Sequence, residues 1–169
     1  GVHVSSDPAR VAAEQTEDVL VLGAGLVAGP AVEYLSRRAG RTVTVASGLP
    51  GEAQALRTNL GNPANVVAVQ MDAVEQADEV AAAVSDASCV LSLLPATMHV
   101  PVVEAAIAAR TPAITASYVS DEMKALDRRA REMGVPVLNE MGLDPGMDHM
   151  SAMRVIDEVH SEGKHASNK

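Results

Sequence analysis

Short apolar runs and helix-like stretches alternate without exception along this chain, and that order restricts the folds open to it. Runs rich in β-branched residues recur at 19–22, 42–45, 66–69, 89–94, 113–115 and 136–138. Between them lie stretches with apolar residues at helical spacing, at 27–38, 51–60, 74–84, 100–109 and 121–132. Stop and start signals support them: Gly40 ends the first helix, and Asp72 with Glu75 three residues on resembles a capping box. Ser120 with Asp121 and Glu122 opens the last of these helices, and Gly134 closes it. Strands that are apolar nearly throughout, joined by helices, imply a parallel sheet covered on both faces. The expected fold is α/β and doubly wound, with about six strands in the order 3-2-1-4-5-6.

That order fixes where chemistry can occur, because ligands of such sheets sit at the carboxyl ends of the strands, beside the switch between the first and fourth. The loops that meet there are 23–29 and 94–99, flanked by 115–120 and 139–147. The first of them is the turn Gly23-Ala24-Gly25-Leu26-Val27-Ala28, which follows the run Val19-Leu20-Val21-Leu22. A Gly-x-Gly-x-x-Ala turn after a strand and before a helix is the fingerprint of a Rossmann-type dinucleotide-binding domain. Gly23 permits the tight turn, Gly25 lets a pyrophosphate approach the backbone, and Ala28 is small enough for the helix to pack on the sheet. Leu26 and Val27 lead into that helix, whose first-turn N–H groups and positive dipole end suit phosphates. Pro30 fits the same turn, where its missing donor costs nothing. The alternative is a glycine-rich turn with no ligand. Arg37, Arg38 and Arg41 fall at the opposite edge and do not reach a cofactor.

The end of the second strand chooses between the nicotinamide cofactors. A carboxylate there holds the ribose diol of NAD, and an arginine favours a 2′-phosphate. This chain has Ala46-Ser47-Gly48; Ser47 can bond either ribose form, Glu52 is the nearest carboxylate, and Arg57 lies deep in the next helix. The cofactor is read as NAD or NADP, with a lean to NAD because no cation meets a 2′-phosphate and Glu52 repels one.

Composition limits the rest. At 169 residues the chain suits one core, and with 47% hydrophobic and 21% charged residues it reads as a globular domain. Tyr34 and Tyr118 are its only aromatic residues, so the core is expected from Val, Ala, Leu and the eight Met, including a stripe at Met147, Met150 and Met153. A net charge of -9 argues against nucleic acid and against an anionic membrane surface. Cys89 is the sole cysteine, sits in a strand and reads as buried and inert, which suits a reducing, cytoplasmic setting. No apolar run approaches a membrane span. Residues 1–16 read as linker or tail, without the apolar core of a signal peptide, and 17–164 as the dinucleotide-binding domain; the chain reads as a piece of something longer.

Four strings carry a family resemblance: Val19-Leu20-Val21-Leu22-Gly23-Ala24-Gly25, Ser92-Leu93-Leu94-Pro95, Thr115-Ala116-Ser117-Tyr118-Val119-Ser120, and the stretch from Asn139 through Leu143-Asp144-Pro145-Gly146 to Asp148, His149 and Met150. In order and spacing they resemble the NAD(P)-binding N-terminal domain of L-glutamate-forming saccharopine dehydrogenases, including the dehydrogenase half of bifunctional lysine-ketoglutarate reductase/saccharopine dehydrogenases. The resemblance implies an oxidoreductase of lysine metabolism acting on a secondary amine, with a small amino-acid substrate and a homodimer for the full-length relative. Saccharopine loses hydride to the nicotinamide, water adds to the imine, and the products are glutamate and 2-aminoadipate semialdehyde. By position, Ser117 and Tyr118 resemble the family's contacts near nicotinamide and substrate, and Asp144 a carboxylate at the same site, which makes Tyr118 and Asp144 the catalytic candidates. Ser92, Leu94 and Pro95 would border the inner ribose, and Asp72 the adenine side. Two departures stand out: the substrate and dimerisation domain of the family is absent from this chain, and Gly48 replaces a charged residue that reads the ribose in some relatives.

Plainer roles compete at several positions. Asp72 can be a simple N-cap, Asp144 can merely open the Pro145-Gly146 turn, and His149 can cap its helix or face solvent. Asp157 and His160 share a helix face, but no third ligand stands at matching spacing, so no metal is expected. Other functions also remain open: a related amine-forming oxidoreductase of the carboxynorspermidine synthase kind, a non-catalytic dinucleotide sensor, or a remnant with an empty pocket.

Overall fold

The computed structural model describes residues 17–161; the tail expected over 1–16 lies outside the described residues. The strands are β1 (Glu17–Leu22), β2 (Arg41–Ser47), β3 (Val66–Gln70), β4 (Cys89–Ser92), β5 (Ala113–Thr115) and β6 (Val137–Leu138). They form one sheet in the order β3-β2-β1-β4-β5-β6, every pair parallel, as the alternation of runs predicts. The helices are α1 (Ala28–Ser36), α2 (Glu52–Asn59), α3 (Ala77–Asp86), α4 (His99–Ala109), α5 (Asp121–Ala125), α6 (Asp127–Met133) and α7 (Met147–Ser161). A 3-10 turn, Ala96–Met98, precedes α4.

The two-residue period of β1 shows why the sheet is covered twice. Val19 and Val21 point to one side and pack with Val32 of α1, Val43 and Val45 of β2, Ala53 of α2 and Val66 of β3. Leu20 and Leu22 point to the other side, among Val80 and Val84 of α3 and Val102, Val103, Ala106 and Ile107 of α4. Each such side chain, taken fully out of water, contributes about 1.5–3 kcal/mol. The register sets the strand ends level: Leu22 lies opposite both Ala46 and Ser92, and Ser92 lies opposite Thr115. Four chain segments therefore leave the sheet at one height, beside the switch between β1 and β4.

Several local expectations are met and others move. Ser120 caps α5, its Oγ accepting from Met123 N–H at 3.2 Å, and Gly134 closes α6 with φ +69°. The single helix expected over 121–132 is divided at Leu126 into α5 and α6. The capping box at Asp72 is displaced by one residue. Its Oδ1 accepts from Val74 and Glu75 N–H, but Asp72 N–H donates in return to Gln76 Oε1, at 2.8 Å, rather than to Glu75, and α3 begins only at Ala77. β4 ends at Ser92, so Leu93 and Leu94 belong to the loop that follows.

The methionine core is a correction. Met123 is the one methionine among the buried core residues, whereas Met147, Met150 and Met153 are 58%, 61% and 53% exposed and α7 has no buried residue. Helical spacing marks these residues as one face, and no described element packs against it. Apart from Met123, the core is built from Val, Ala, Leu and Ile107. Cys89, expected to be buried, is only half-buried in β4; what burial it has pushes its thiol pKa up, which disfavours the reactive thiolate. At the amino edge Arg41 and Arg38 both pair with Glu17, at 2.6 and 3.0 Å, which accounts for two of the three arginines placed there by the sequence.

Candidate functional site

The two glycines of the first turn differ in what the chain requires of them. Gly23 has φ +102°, and a Cβ there would stand 3.0 Å from the Leu93 carbonyl oxygen. The fold itself demands that glycine. Gly25 has no positive φ, and a Cβ on it would meet nothing within 4 Å. Nothing in the described chain explains a glycine there, whereas a ligand lying on the backbone would. Ala28 N–H returns to the Gly25 carbonyl at 3.0 Å, and the N–H groups of Gly25, Leu26 and Val27 have no partner among the described residues. Leu26 is fully exposed and Val27 largely so, while Ala28 is buried under the sheet as its size predicts. A hollow of about 390 Å³ runs from this turn along α2, lined by Gly25, Leu26, Glu52, Leu56 and Asn59 among others.

The end of β2 is shaped by carboxylates. Ser47 is 5% exposed and donates its hydroxyl to Glu52 Oε2 at 2.5 Å, while its Oγ accepts from Leu49 N–H at 3.2 Å. The hydroxyl is thus committed inside the chain, to a carboxylate that stands at the start of α2. Gly48 lies against β3's end: a Cβ there would come within 2.7 Å of Asp72 Oδ2 and 3.2 Å of its Cα. The turn bonds of Asp72 hold its carboxyl below the usual range, so it stays ionised. Arg57 is half-buried, and its Nε is shut from solvent without a partner among the described residues.

Behind the β4 and β5 ends lies a polar group that joins the candidates Ser92 and Ser117 through a histidine with no signal in the sequence. His99, at the head of α4, is 2% exposed; its Nδ1 stands 2.8 Å from Ser92 Oγ and its Nε2 2.8 Å from Ser117 Oγ. Burial lowers its pKa and keeps the ring neutral. In sequence it is one histidine at the start of an apolar helix, with no spacing that separates it from an ordinary core residue. Ser92 is 1% exposed, so its hydroxyl faces His99 and not the open edge. Leu94 is half-buried and Pro95 exposed, on the loop that leaves β4.

The string after β6 meets the loop after β5. Tyr118 is exposed and donates its hydroxyl to Asp144 Oδ1. That bond, ahead of the nearby carboxylates, pushes the Tyr118 pKa up to about 12, so the phenol remains a proton donor across the ordinary pH range. Gly146 N–H donates to Asp148 Oδ1 at 3.1 Å, and His149 Nδ1 lies 2.7 Å from the same oxygen. The Tyr118 and His149 rings meet edge-on with centroids 6.4 Å apart. Asp144 therefore sits in a constellation, with Tyr118 on one side and the Asp148–His149 pair on the other. Their metal-capable atoms, from Asp144, Asp148 and His149, fall within 4.8 Å of one another on the surface. No helix among the described residues is long and apolar enough to cross a membrane.

Comparison with known proteins completes the description. The family model described as saccharopine dehydrogenase NADP binding domain matches residues 19–138. A saccharopine dehydrogenase [NADP(+), L-glutamate-forming] from Saccharomyces cerevisiae is 39% identical over 149 residues, covering 87% of this chain and 32% of that protein. The mitochondrial alpha-aminoadipic semialdehyde synthase of Bos taurus is 37% identical over 145 residues, covering 86% of this chain and 15% of its own length. The solved apo structure of the yeast saccharopine dehydrogenase (L-Glu forming) superposes with a TM-score of 0.77 at 38% identity, over 87% of this chain and 32% of that one. The chain spans a third or less of these relatives. It belongs to the saccharopine dehydrogenase NADP-binding domain family, as the four strings indicate.

Proposed function

We propose that this chain is the cofactor-holding part of an oxidoreductase that converts saccharopine to glutamate and 2-aminoadipate semialdehyde, with a nicotinamide dinucleotide laid across the carboxyl edge of its sheet. The observation that carries the reading is Gly25, a glycine that the chain's own packing does not require, at the mouth of α1. The family membership and the 390 Å³ hollow beside Glu52 support it. Residues 17–164 are read as the dinucleotide-binding domain; because the match covers a third or less of the relatives, the dimer contacts and the remaining substrate contacts of a whole enzyme are assigned to parts of it beyond this domain.

The residues fit the group. The turn from Gly23 to Val27 would hold the pyrophosphate, through the N–H groups of Gly25, Leu26 and Val27, unpartnered among the described residues, and the positive end of α1. Glu52 and Asp72 would flank the adenosine ribose, and Leu94, Pro95 and the Ser92 backbone the inner ribose. When bound, the nicotinamide would supply the hydride acceptor. Tyr118 keeps its proton and holds the Asp144 carboxylate in place. Asp144 is then positioned to take the proton of the attacking water, and Ser117 and Tyr118 to bind substrate oxygens. The small amino-acid substrate would have its carboxylates met by the same edge and by parts of a whole enzyme beyond this domain.

The yeast relative is an NADP(+) enzyme by name, and the family is described as NADP binding. In this chain, however, the Glu52 carboxylate holds the Ser47 hydroxyl at the end of β2, and Asp72 leaves no room for a side chain at 48 without a shift. A lean to NAD rests on those two facts. A phosphate dianion about 6 Å from one carboxylate in water loses about 1.4 kcal/mol, or roughly tenfold in affinity. Calorimetry of the purified chain with NAD and NADP tests both parts: binding of neither refutes the cofactor reading, and tighter NADP refutes the lean. The single thiol of Cys89 suits a reducing compartment, the cytoplasm being the simplest choice.

A further inference from the structure

The His99 cluster has a hydrogen-bond asymmetry that assigns its proton. Ser92 Oγ is buried, and its sole partner among the described residues is His99 Nδ1. A neutral imidazole carries one N–H. If that proton sat on Nδ1, the Ser92 oxygen would accept it, and the Ser92 hydroxyl proton would be buried with nowhere to go. An orphaned buried donor is penalised by roughly five- to 150-fold in population. In the other tautomer Ser92 donates to Nδ1 and leaves only lone pairs idle, the milder fault. Nε2 then carries the proton and donates to Ser117 Oγ, 2.8 Å away. With that lone pair taken from behind, the hydroxyl proton of Ser117 is released on its half-exposed side.

We propose that His99 is a positioning residue: Ser92 fixes it as the Nε2–H tautomer, and it makes Ser117 a hydrogen-bond donor to a ligand oxygen at the carboxyl edge. The two ligand oxygens within the proposed chemistry are the nicotinamide carboxamide and a substrate carboxylate. This part rests on the proposed function; the tautomer itself does not.

Nitrogen NMR of the chain labelled in its five histidines reads the ring directly. The His99 signals, identified by their loss in His99→Gln, should show a pyridine-like Nδ1 and a pyrrole-like Nε2. They should persist in Ser117→Ala, become a tautomer mixture in Ser92→Ala, and recover in Ser92→Thr. A protonated Nδ1, or indifference to Ser92→Ala in a folded variant, overturns the assignment. Calorimetry then follows oxidised dinucleotide alone and with glutamate added. Ser117→Ala and His99→Leu should each weaken binding roughly three- to tenfold. His99→Gln, whose amide can still donate to Ser117, should stay within about twofold of the parent. A loss with dinucleotide alone identifies the carboxamide, and a loss only with glutamate identifies the carboxylate. Equal loss in His99→Gln and His99→Leu, or no loss in either arm, refutes the positioning role. If the parent chain binds no dinucleotide, it is the proposed function that fails, and the ring signals alone decide the tautomer.

Discussion

Replacing Gly25 by valine should separate binding from folding. A branched side chain there meets no atom within 4 Å at its Cβ, and the backbone keeps an ordinary φ, so folding stability should change by no more than about 0.5 kcal/mol. The same side chain occupies the space over the N–H groups of Leu26 and Val27 where a pyrophosphate would lie. Losing two charge-assisted bonds of about 1.5 kcal/mol each removes about 3 kcal/mol, a fall of roughly a hundredfold or more in affinity. Gly23→Ala is the opposite case, combining φ +102° with a 3.0 Å approach to the Leu93 carbonyl. Its strain of about 1–3 kcal/mol should lower Tm by about 3–12 °C. Calorimetry with dinucleotide and a thermal melt on both variants check the pair. Gly25→Val with unchanged affinity, or with a melting loss like that of Gly23→Ala, would show that the second glycine serves the fold.

Three further outcomes follow from the site. In an intact enzyme carrying this domain, Tyr118→Phe and Asp144→Asn should lower turnover roughly 10²–10⁴-fold with cofactor affinity nearly constant; normal turnover with reduced thermal stability would reassign both to structure. In a Tyr34→Phe chain, alkaline titration by phenolate absorbance should place Tyr118 near 12, and Asp144→Asn should bring it back toward 10. Because the folded pKa is raised, the stability linked to that bond is complete below pH 10 and lost as pH climbs through about 12; a titration already near 10 in the parent would remove the Tyr118–Asp144 bond from the account. Finally, residues 1–169 assayed by themselves should not oxidise saccharopine, since Tyr118 and Asp144 stand exposed and nothing among the described residues excludes water there or orients the reacting carbon; clear formation of reduced nicotinamide would contradict this.

The sheet order was legible because six apolar runs separated by helices admit few parallel arrangements, and the level strand ends follow from that order. The glycine turn was legible as a motif, but the unequal duties of Gly23 and Gly25 needed backbone angles and neighbours. Hydrogen-bond partners were the least legible. Ser47 reads in sequence as available to a ribose, but its hydroxyl donates to Glu52, and His99 carried no sequence signal because its two serines lie 7 and 18 residues away. The methionines of α7 misled for a different reason: helical spacing announces an apolar face without naming what covers it. Tyr118 and Asp144, by contrast, were paired by family position and meet in space, although 26 residues separate them.

The central claim is that a nicotinamide dinucleotide lies on the carboxyl edge beside Gly25. Backbone amide NMR of the chain during titration with NAD and NADP tests it most directly. The account predicts concentration-dependent shifts concentrated at residues 23–28, 47–52 and 93–98, with the amino-edge residues Glu17 and Arg41 unmoved. Shifts centred on α6 and β6, or none at millimolar dinucleotide, would contradict it.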